Sequence, residues 1–516
     1  MPKFYLTTAI DYANGDPHLG HAFEKIGADV IARYHRLRGD DVWFLIGMDE
    51  HGQKVAQTAA ERGLSPQALT DQVAVRFQAM WARLGISHDQ FMRTTAPEHR
   101  TGVRELIERI FDRNPDDFYE KSYAGRYCVG CESFKQDAEI VDGRCILHPT
   151  RTLEWVEERN WFFRLSRYQE FLTRHIEAHP EFVQPATRRN EILGLLRQGL
   201  DDISASRARF AWGVPFPRPT TDGEAQTTYV WFDALPNYWT ATRFPGSRAS
   251  WPAQLHVVGK DITRFHCVIW PAMLRSAGLA LPDRVWAHGF ITYGGERFSK
   301  SAGVRLELDA AVERFGADAF RYFLIREVPW DADGSFSWER FEERYNADLA
   351  DGLGNLASRA LAMVEKYRGG VLPSGSETEL DQDGLRAVAE YQRAMDELDL
   401  QGGIAAAWSH VAAANLFVQR SAPWTLAKEG RAQELDTVLG ALGRALYRLA
   451  ILVSPVMPVK AQALWEALGQ SGDVTGIPSP WYRRNWGPAK LAWPSGARVQ
   501  KPAGLFPKAI PGGSET

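Results

Sequence analysis

Several features are scarce in this chain, and each scarcity excludes something. Four cysteines in 516 residues are too few for the disulfide framework of a small secreted domain. Three of them, Cys128, Cys131 and Cys145, lie within 18 positions of one another, a clustering that suits a metal ion better than a set of disulfides. No uninterrupted apolar run reaches about 18 residues, so no membrane-spanning helix is expected. The opening Met1-Pro2-Lys3-Phe4-Tyr5-Leu6 lacks the basic and then apolar regions of a secretion signal. The cytosol is therefore the expected compartment. Neither sign of charge dominates: 60 Lys and Arg face 64 Asp and Glu, for a net charge of −4. Any nucleic-acid partner must then be held by local patches rather than by overall basicity. There is no internal repeat and no low-complexity tract.

What is present suits a large soluble protein of two to four domains. Phe4-Tyr5-Leu6-Thr7-Thr8-Ala9-Ile10 reads as a buried strand that ends in the loop from Asp11 to Pro17. From His18 to Leu37 the spacing of Ala22, Ile26, Val30 and Tyr34 predicts a helix, and Val42-Trp43-Phe44-Leu45-Ile46 a second strand. Strand, helix and strand in about 45 residues make a βαβ unit, hence a parallel sheet of the Rossmann-like class with its ligand site at the carboxyl ends of the strands. Between about 115 and 220 the alternation breaks, which marks an inserted domain. Strands are expected again at Thr227–Trp231, Leu255–Val258 and Arg284–His288, the three completing the second half of the sheet. From about 340 the sequence is helical, with expected helices at Leu353–Val364, Gly384–Leu398, Ile404–Gln419 and Leu435–Val453. They form a bundle. The tail beyond Gly469 shows little periodicity.

Two short segments carry chemistry. His18-Leu19-Gly20-His21 opens the first helix, where free N–H groups and the macrodipole attract anions. Gly20 leaves room for a ligand near the backbone. The two imidazoles share a helix face and can donate to phosphate oxygens. Arg297-Phe298-Ser299-Lys300-Ser301 lies between Gly294-Gly295 and Gly303, the composition of a loop able to fold over a polyphosphate. Either alone also fits an ordinary helix start or a solvated basic turn. Together, in this order, they resemble the HIGH and KMSKS signatures of class I aminoacyl-tRNA synthetases. The second departs from the family pattern at Arg297 and Phe298 but keeps Lys300.

Further segments resemble the methionyl-tRNA synthetases: Thr7-Thr8-Ala9-Ile10-Asp11-Tyr12, Gly47-Met48-Asp49-Glu50-His51-Gly52, Tyr229-Val230-Trp231-Phe232-Asp233-Ala234-Leu235 and Gly259-Lys260-Asp261-Ile262-Thr263-Arg264-Phe265-His266. The resemblance implies methionine activation by ATP, with Mg2+ accompanying the nucleotide, followed by charging of tRNA(Met). It implies His18, His21 and Lys300 around the phosphates, with Gly20, Ser299 and Ser301 completing the ATP site. Ile10, Tyr12, Trp231, Tyr238 and Ile262 are suitable walls for a soft thioether. The Tyr12 hydroxyl and a His266 nitrogen are expected to donate weakly to the sulfur, and Asp49, at a strand end, to take the substrate ammonium. The insertion is about 100 residues, without the large editing domain of the leucine, isoleucine and valine relatives.

Cys128-x2-Cys131 and Cys145-x2-His148 supply three thiolates and an imidazole, a set that suits closed tetrahedral zinc of structural type. It resembles the single-zinc knuckle of one branch of the family. In the helical half, Asn355 and Arg359 lie four apart on one helix face, and Trp424 follows a helix end. The resemblance implies that these three read the CAU anticodon. Expected boundaries are 1–115 and 221–290 for the halves of the catalytic domain, 116–220 for the insertion, 291–345 for the mobile loop and stem-contact region, 346–470 for the anticodon domain and 471–516 for a tail. No extra C-terminal domain is recognised, so a monomer is expected. Two rival readings remain at this point. One is a different nucleotidylyltransferase with the same phosphate site, which would not need Asn355, Arg359 and Trp424. The other is a non-catalytic tRNA-binding regulator, which would not need His18, His21, Asp49 and Lys300.

Overall fold

The computed structural model describes residues 2–128, 133–135, 137–146, 148–208, 210–293, 296–297, 308–475, 496–500 and 504–508. Strand β1 (Lys3–Thr8), the short β2 (Asp11–Tyr12), helix α1 (Leu19–Arg38) and strand β3 (Asp41–Asp49) form the opening unit. β1 and β3 are parallel, with Leu6 opposite Phe44, so α1 is the expected crossover. β4 (Gln90–Arg93) pairs in parallel with β3. On the other side of β1 lies Leu255–Gly259, followed by Val285–His288 and Val183–Gln184, again all parallel. Because every strand runs the same way, the loops after them gather at one edge.

Alternation along the strands separates two cores. Tyr5 and Leu45 enter a core shared with the helix Pro97–Arg113 and the segment 265–277. Leu6, Phe44 and Ile46 enter one shared with α1 that continues into the C-terminal helices. Helix α1 runs 20 residues, about 30 Å, and ends where Gly39 takes a left-handed φ of 90°. Its far end meets the bundle: the Tyr34 hydroxyl donates to Asp396 Oδ1 at 2.7 Å, and Arg38 pairs with the same carboxylate. Gly27 permits the close approach of Trp330, whose ring would lie 2.2 Å from a Cβ at that position.

In the inserted region, Phe118–Cys128 and Glu154–Phe163 form a long antiparallel pair. The chain then returns to the central sheet through Val183–Gln184, well before residue 220. The C-terminal helices Asn355–Arg368, Glu379–Asp396, Leu400–Ser421 and Ala432–Val453 overlap the expected ones. The described parts of the tail pack back on them. Val499 N–H donates to Gly370 O at 2.7 Å, and Phe506 is buried beside Tyr345. These described parts form no helix, so they have no helical period to read. None of the described helices is long and apolar enough to cross a membrane.

One expected strand is corrected. Only Thr227–Thr228 of this stretch is a paired strand, and it pairs antiparallel with Ser206–Arg207 outside the parallel sheet. Val230–Ala234 is a short helix. A brief apolar run cannot be assigned to strand or helix from periodicity alone. Within that helix the Asp233 carboxylate is fully buried between His51 Nδ1 at 2.6 Å and His99 Nε2 at 3.0 Å. Burial opposes its ionisation, but the two imidazoles outweigh that and hold its carboxyl well below the usual range.

Candidate active site

A cavity of about 440 Å3 opens at the carboxyl ends of the parallel strands. Its lining includes Ile10, Tyr12, His18, Gly20, His21, Asp49, Trp231, Tyr238, Ile262 and His266. These come from five separate stretches of sequence, and the fold brings them to one place.

At the start of α1 the two histidines form a reciprocal cap. His18 Nδ1 accepts from Gly20 N–H at 3.1 Å, and His21 Nδ1 accepts from His18 N–H at 3.3 Å, with the rings stacked 3.7 Å apart. A backbone N–H can only donate, so each Nδ1 is an acceptor and the neutral ring carries its proton on Nε2. The cap that starts the helix thus also fixes which nitrogens can donate to an anion.

The apolar wall is equally ordered. Trp231 stacks on Phe265 at 3.7 Å and 9°. Buried Tyr238 is held through its hydroxyl, 2.7 Å from His266 Nε2, while His266 Nδ1 lies 2.9 Å from the Ile262 carbonyl. The carbonyl must accept, so Nδ1 carries the proton and Nε2 accepts from the tyrosine. Both nitrogens are therefore engaged, and the expected donation from His266 to sulfur does not match this geometry. Burial lowers the His266 pKa to about 4, so the ring is neutral near pH 7. Its placement supports Tyr238.

A charged network at the floor of the cavity was not anticipated from sequence. Lys25 Nζ, fully buried, reaches Asp11 Oδ1 at 2.9 Å, Glu24 Oε1 at 2.7 Å and Ala9 O at 2.9 Å. Glu24 Oε2 lies 3.2 Å from His288 Nε2. Asp11, Glu24 and His288 all line the cavity, as do Lys54, Asn237, Asp261 and Phe290. Lys54 also stands 5.8 Å from the Tyr12 ring centroid. The quoted motif segments contain Asp11 and Asp261. Lys25, one position from the apolar stripe of α1, had no signal to mark it as buried.

The remaining expected site residues are placed only in part. Ser299, Lys300 and Ser301 lie outside the described residues. The strands Ile291–Tyr293 and Glu296–Arg297 pair antiparallel just ahead of them, and Ile291 lines the cavity. Cys128 and Cys145 are each 1% exposed, and Cys145 pairs in register with His148. Cys131 is outside the described residues. In the helical half, Asn355 and Arg359 start the helix Asn355–Arg368, and Asn415 Nδ2 donates to Gly352 O just ahead of it at 3.3 Å. Trp424, 46% exposed, opens the helix Pro423–Lys428.

The family model described as tRNA synthetases class I (M) matches residues 4–361, and the anticodon binding domain of methionyl tRNA ligase matches residues 369–511. The chain belongs to the methionyl-tRNA synthetase family. It is 42% identical over 530 aligned residues to a methionine–tRNA ligase of Streptomyces coelicolor, covering 98% of this chain and 96% of the relative. It is 43% identical to the corresponding ligase of Thermosynechococcus vestitus, covering 93% and 92%. A solved structure of Mycobacterium tuberculosis methionyl-tRNA synthetase in complex with methionyl-adenylate matches with a TM-score of 0.89 at 40% identity, over 98% of this chain and all of that one. The apo form of that enzyme matches with a TM-score of 0.84 at 37% identity.

Proposed function

We propose that this protein activates L-methionine with ATP, forming methionyl-adenylate and pyrophosphate, and then transfers the methionyl group to the 3′-terminal adenosine of tRNA(Met). The observation that carries this reading is that the helix-capping His18 and His21 line the same cavity as the aromatic residues Tyr12, Trp231 and Tyr238, in a chain of this family.

In the activation step, a methionine carboxylate oxygen attacks the α-phosphorus. The P–O bond to the β-phosphate breaks, and pyrophosphate leaves with its electron pair. The nucleophile is already anionic, so no general base is required. Catalysis rests on holding the reactants in line and stabilising charge on the phosphoryl oxygens. His18 and His21, through their Nε2–H groups, and the N-terminus of α1 serve that purpose from one side. Lys300, with Ser299 and Ser301, serves it from the loop. Mg2+ accompanying ATP supplies countercharge to the polyphosphate. Asp49 takes the methionine ammonium, and Ile10, Tyr12, Trp231, Tyr238 and Ile262 enclose the thioether.

The knuckle is assigned to a zinc ion on the chemistry of its donors. Two buried cysteines at hairpin ends, with Cys131 and His148, offer three thiolates and an imidazole, a closed donor set whose role is structural. Asn355 and Arg359 with Trp424 read the anticodon by hydrogen bonds and stacking. The boundaries expected from sequence divide these tasks, with one change: catalysis at 1–115 and 221–290 is joined by the edge strand Val183–Gln184, the knuckle lies in the part of 116–220 that precedes it, the loop and stem contact at 291–345, and anticodon reading at 346–470. The protein acts as a monomer in the cytoplasm.

The test is ATP–pyrophosphate exchange with each of the twenty amino acids. Exchange with methionine alone, lost in Lys300→Ala, is the expected result. Exchange with a different amino acid overturns the methionine assignment.

A further inference from the structure

The network beneath the cavity leaves one acceptor over. A lysine ammonium has three protons. Those of Lys25 are spent on Asp11 Oδ1, Glu24 Oε1 and the Ala9 carbonyl. The second oxygen of Glu24 faces His288 Nε2, whose Nδ1 lies 2.7 Å from Gly289 O. Asp11 Oδ2 is buried and has no hydrogen-bond partner among the described residues. The Asp11 side chain is only 3% exposed, yet the residue lines the cavity. A buried carboxylate oxygen without a donor is the exception in folded proteins. The three protons of Lys25 are taken up elsewhere, and the residue that carries this oxygen borders the substrate cavity.

We propose that Asp11 is a further substrate-binding residue, whose Oδ2 accepts a hydrogen bond from a donor that the ligand brings, either the methionine ammonium or a ribose hydroxyl of the nucleotide. This rests on the function proposed above and extends its ligand set. The strand register makes the position specific. β2 pairs with β3 so that Tyr12 is opposite Asp49 and Asp11 opposite Met48. Successive side chains on β2 point to opposite faces, so Asp11 approaches the ligand from the α1 side while Asp49 and Tyr12 approach from the other. The cavity thus has a carboxylate on each face of the β2–β3 ladder. The titration behaviour of Asp11 agrees. Burial raises its pKa to about 7, Lys25 opposes the rise and Glu24 adds to it. A carboxyl so poised gains when a ligand donor arrives.

The decisive variant is Asp11→Asn, which keeps an oxygen for Lys25 and replaces the other with an amide NH2. Steady-state exchange is measured with methionine and ATP varied in turn, and with 2′-deoxy- and 3′-deoxy-ATP. The expected result is a rise of about tenfold or more in the KM of one substrate, with kcat within threefold of wild type. A rise confined to methionine assigns the ammonium. A rise confined to ATP, with loss of the wild-type preference for ATP over a deoxy analogue, assigns a ribose hydroxyl. If both KM values stay within twofold, the proposal is overturned. It is equally overturned if both rise in proportion alongside a lowered Tm, which makes Asp11 a fold residue only. Should the single variant fold poorly, Asp11→Asn with Lys25→Met removes the whole buried pair, and the same selective rise is expected. Wild-type exchange is the reference, so its absence counts against the functional reading, whereas an active wild type with an indifferent variant counts against Asp11 alone.

Discussion

Arg321 and Asp29 form a buried ion pair that ties the catalytic helix to the C-terminal bundle, and its disruption has a calculable cost. Both side chains are fully buried and 2.6 Å apart. Arg321 also donates to Val456 O at 2.7 Å, Pro455 O at 2.9 Å and Leu84 O at 3.2 Å. Asp29 accepts from Arg33 at 2.7 Å and from Ser87 N–H at 2.7 Å. Burial opposes ionisation of Asp29, but the two guanidinium groups outweigh it and hold the carboxyl well below the usual range. Asp29→Asn leaves two guanidinium charges in the interior without their counterion. Arg321→Met leaves three carbonyls without a donor. Removing one partner of such a pair costs about 3–5 kcal/mol. For a cooperative unit of roughly 300 residues, with unfolding entropy near 0.6 kcal/mol/K, the Tm falls by about 5–8 °C. Thermal melts of both single variants and of the double variant form a cycle. The double variant should be less destabilised than the sum of the singles by at least about 1 kcal/mol. Single variants within 1 °C of wild type, or strictly additive losses, would refute the assignment of Arg321 and Asp29 as one coupled node.

Four further outcomes are expected. His266 and His410 have pKa values lowered to about 4, mainly by burial. Both are neutral when folded, while the unfolded chain protonates them below about 6.5, so their stabilisation is complete above pH 6.5 and is lost as the pH falls towards 4. Each then costs about 2 kcal/mol at pH 5, and His410→Leu should flatten the fall in urea midpoint between pH 7 and pH 5. His18→Asn keeps a capping acceptor but removes the Nε2 donor, so the Tm is retained while exchange kcat drops about 100-fold; an unchanged kcat sinks the proposed phosphate role. Metal analysis should find one zinc ion per chain, and Cys145→Ala should release it and lower the Tm; a metal-free, stable wild type contradicts the knuckle. Trp424→Ala should lower kcat/KM for tRNA charging by the equivalent of about 1–3 kcal/mol of base stacking, measured as aminoacylation at limiting tRNA, and equal charging by the two proteins counts against an anticodon contact.

The opening βαβ unit was readable because its signals are local. The run Phe4 to Thr8, the stripe of Ala22, Ile26, Val30 and Tyr34, and the run Val42 to Ile46 each declare a period, and all belong to the observed elements. Val230–Ala234 was not readable, because five residues cannot show a helical period and the contacts of Asp233 are with His51 and His99, far away in sequence. The edge strand Val183–Gln184 was missed for a similar reason. Two residues carry no alternation, and their partner, Val285–Trp286, is about 100 positions away.

Within the candidate site the division is similar. By itself the sequence determined the order of the motifs, the helix start at His18, the βα alternation and the family, all of which depend on neighbours a few residues apart or on identity along the chain. Only the tertiary structure decided which charges are buried and with whom. Lys25 reads as an ordinary surface lysine until Asp11 and Glu24 enclose it, and Glu24 meets His288 across 264 positions. His266 reads as a donor until Tyr238 and the Ile262 carbonyl occupy both its nitrogens. The protonation and hydrogen-bonding role of a side chain depend on desolvation and on the groups that face it. Those groups come from distant segments, so the roles exist only once the chain has folded.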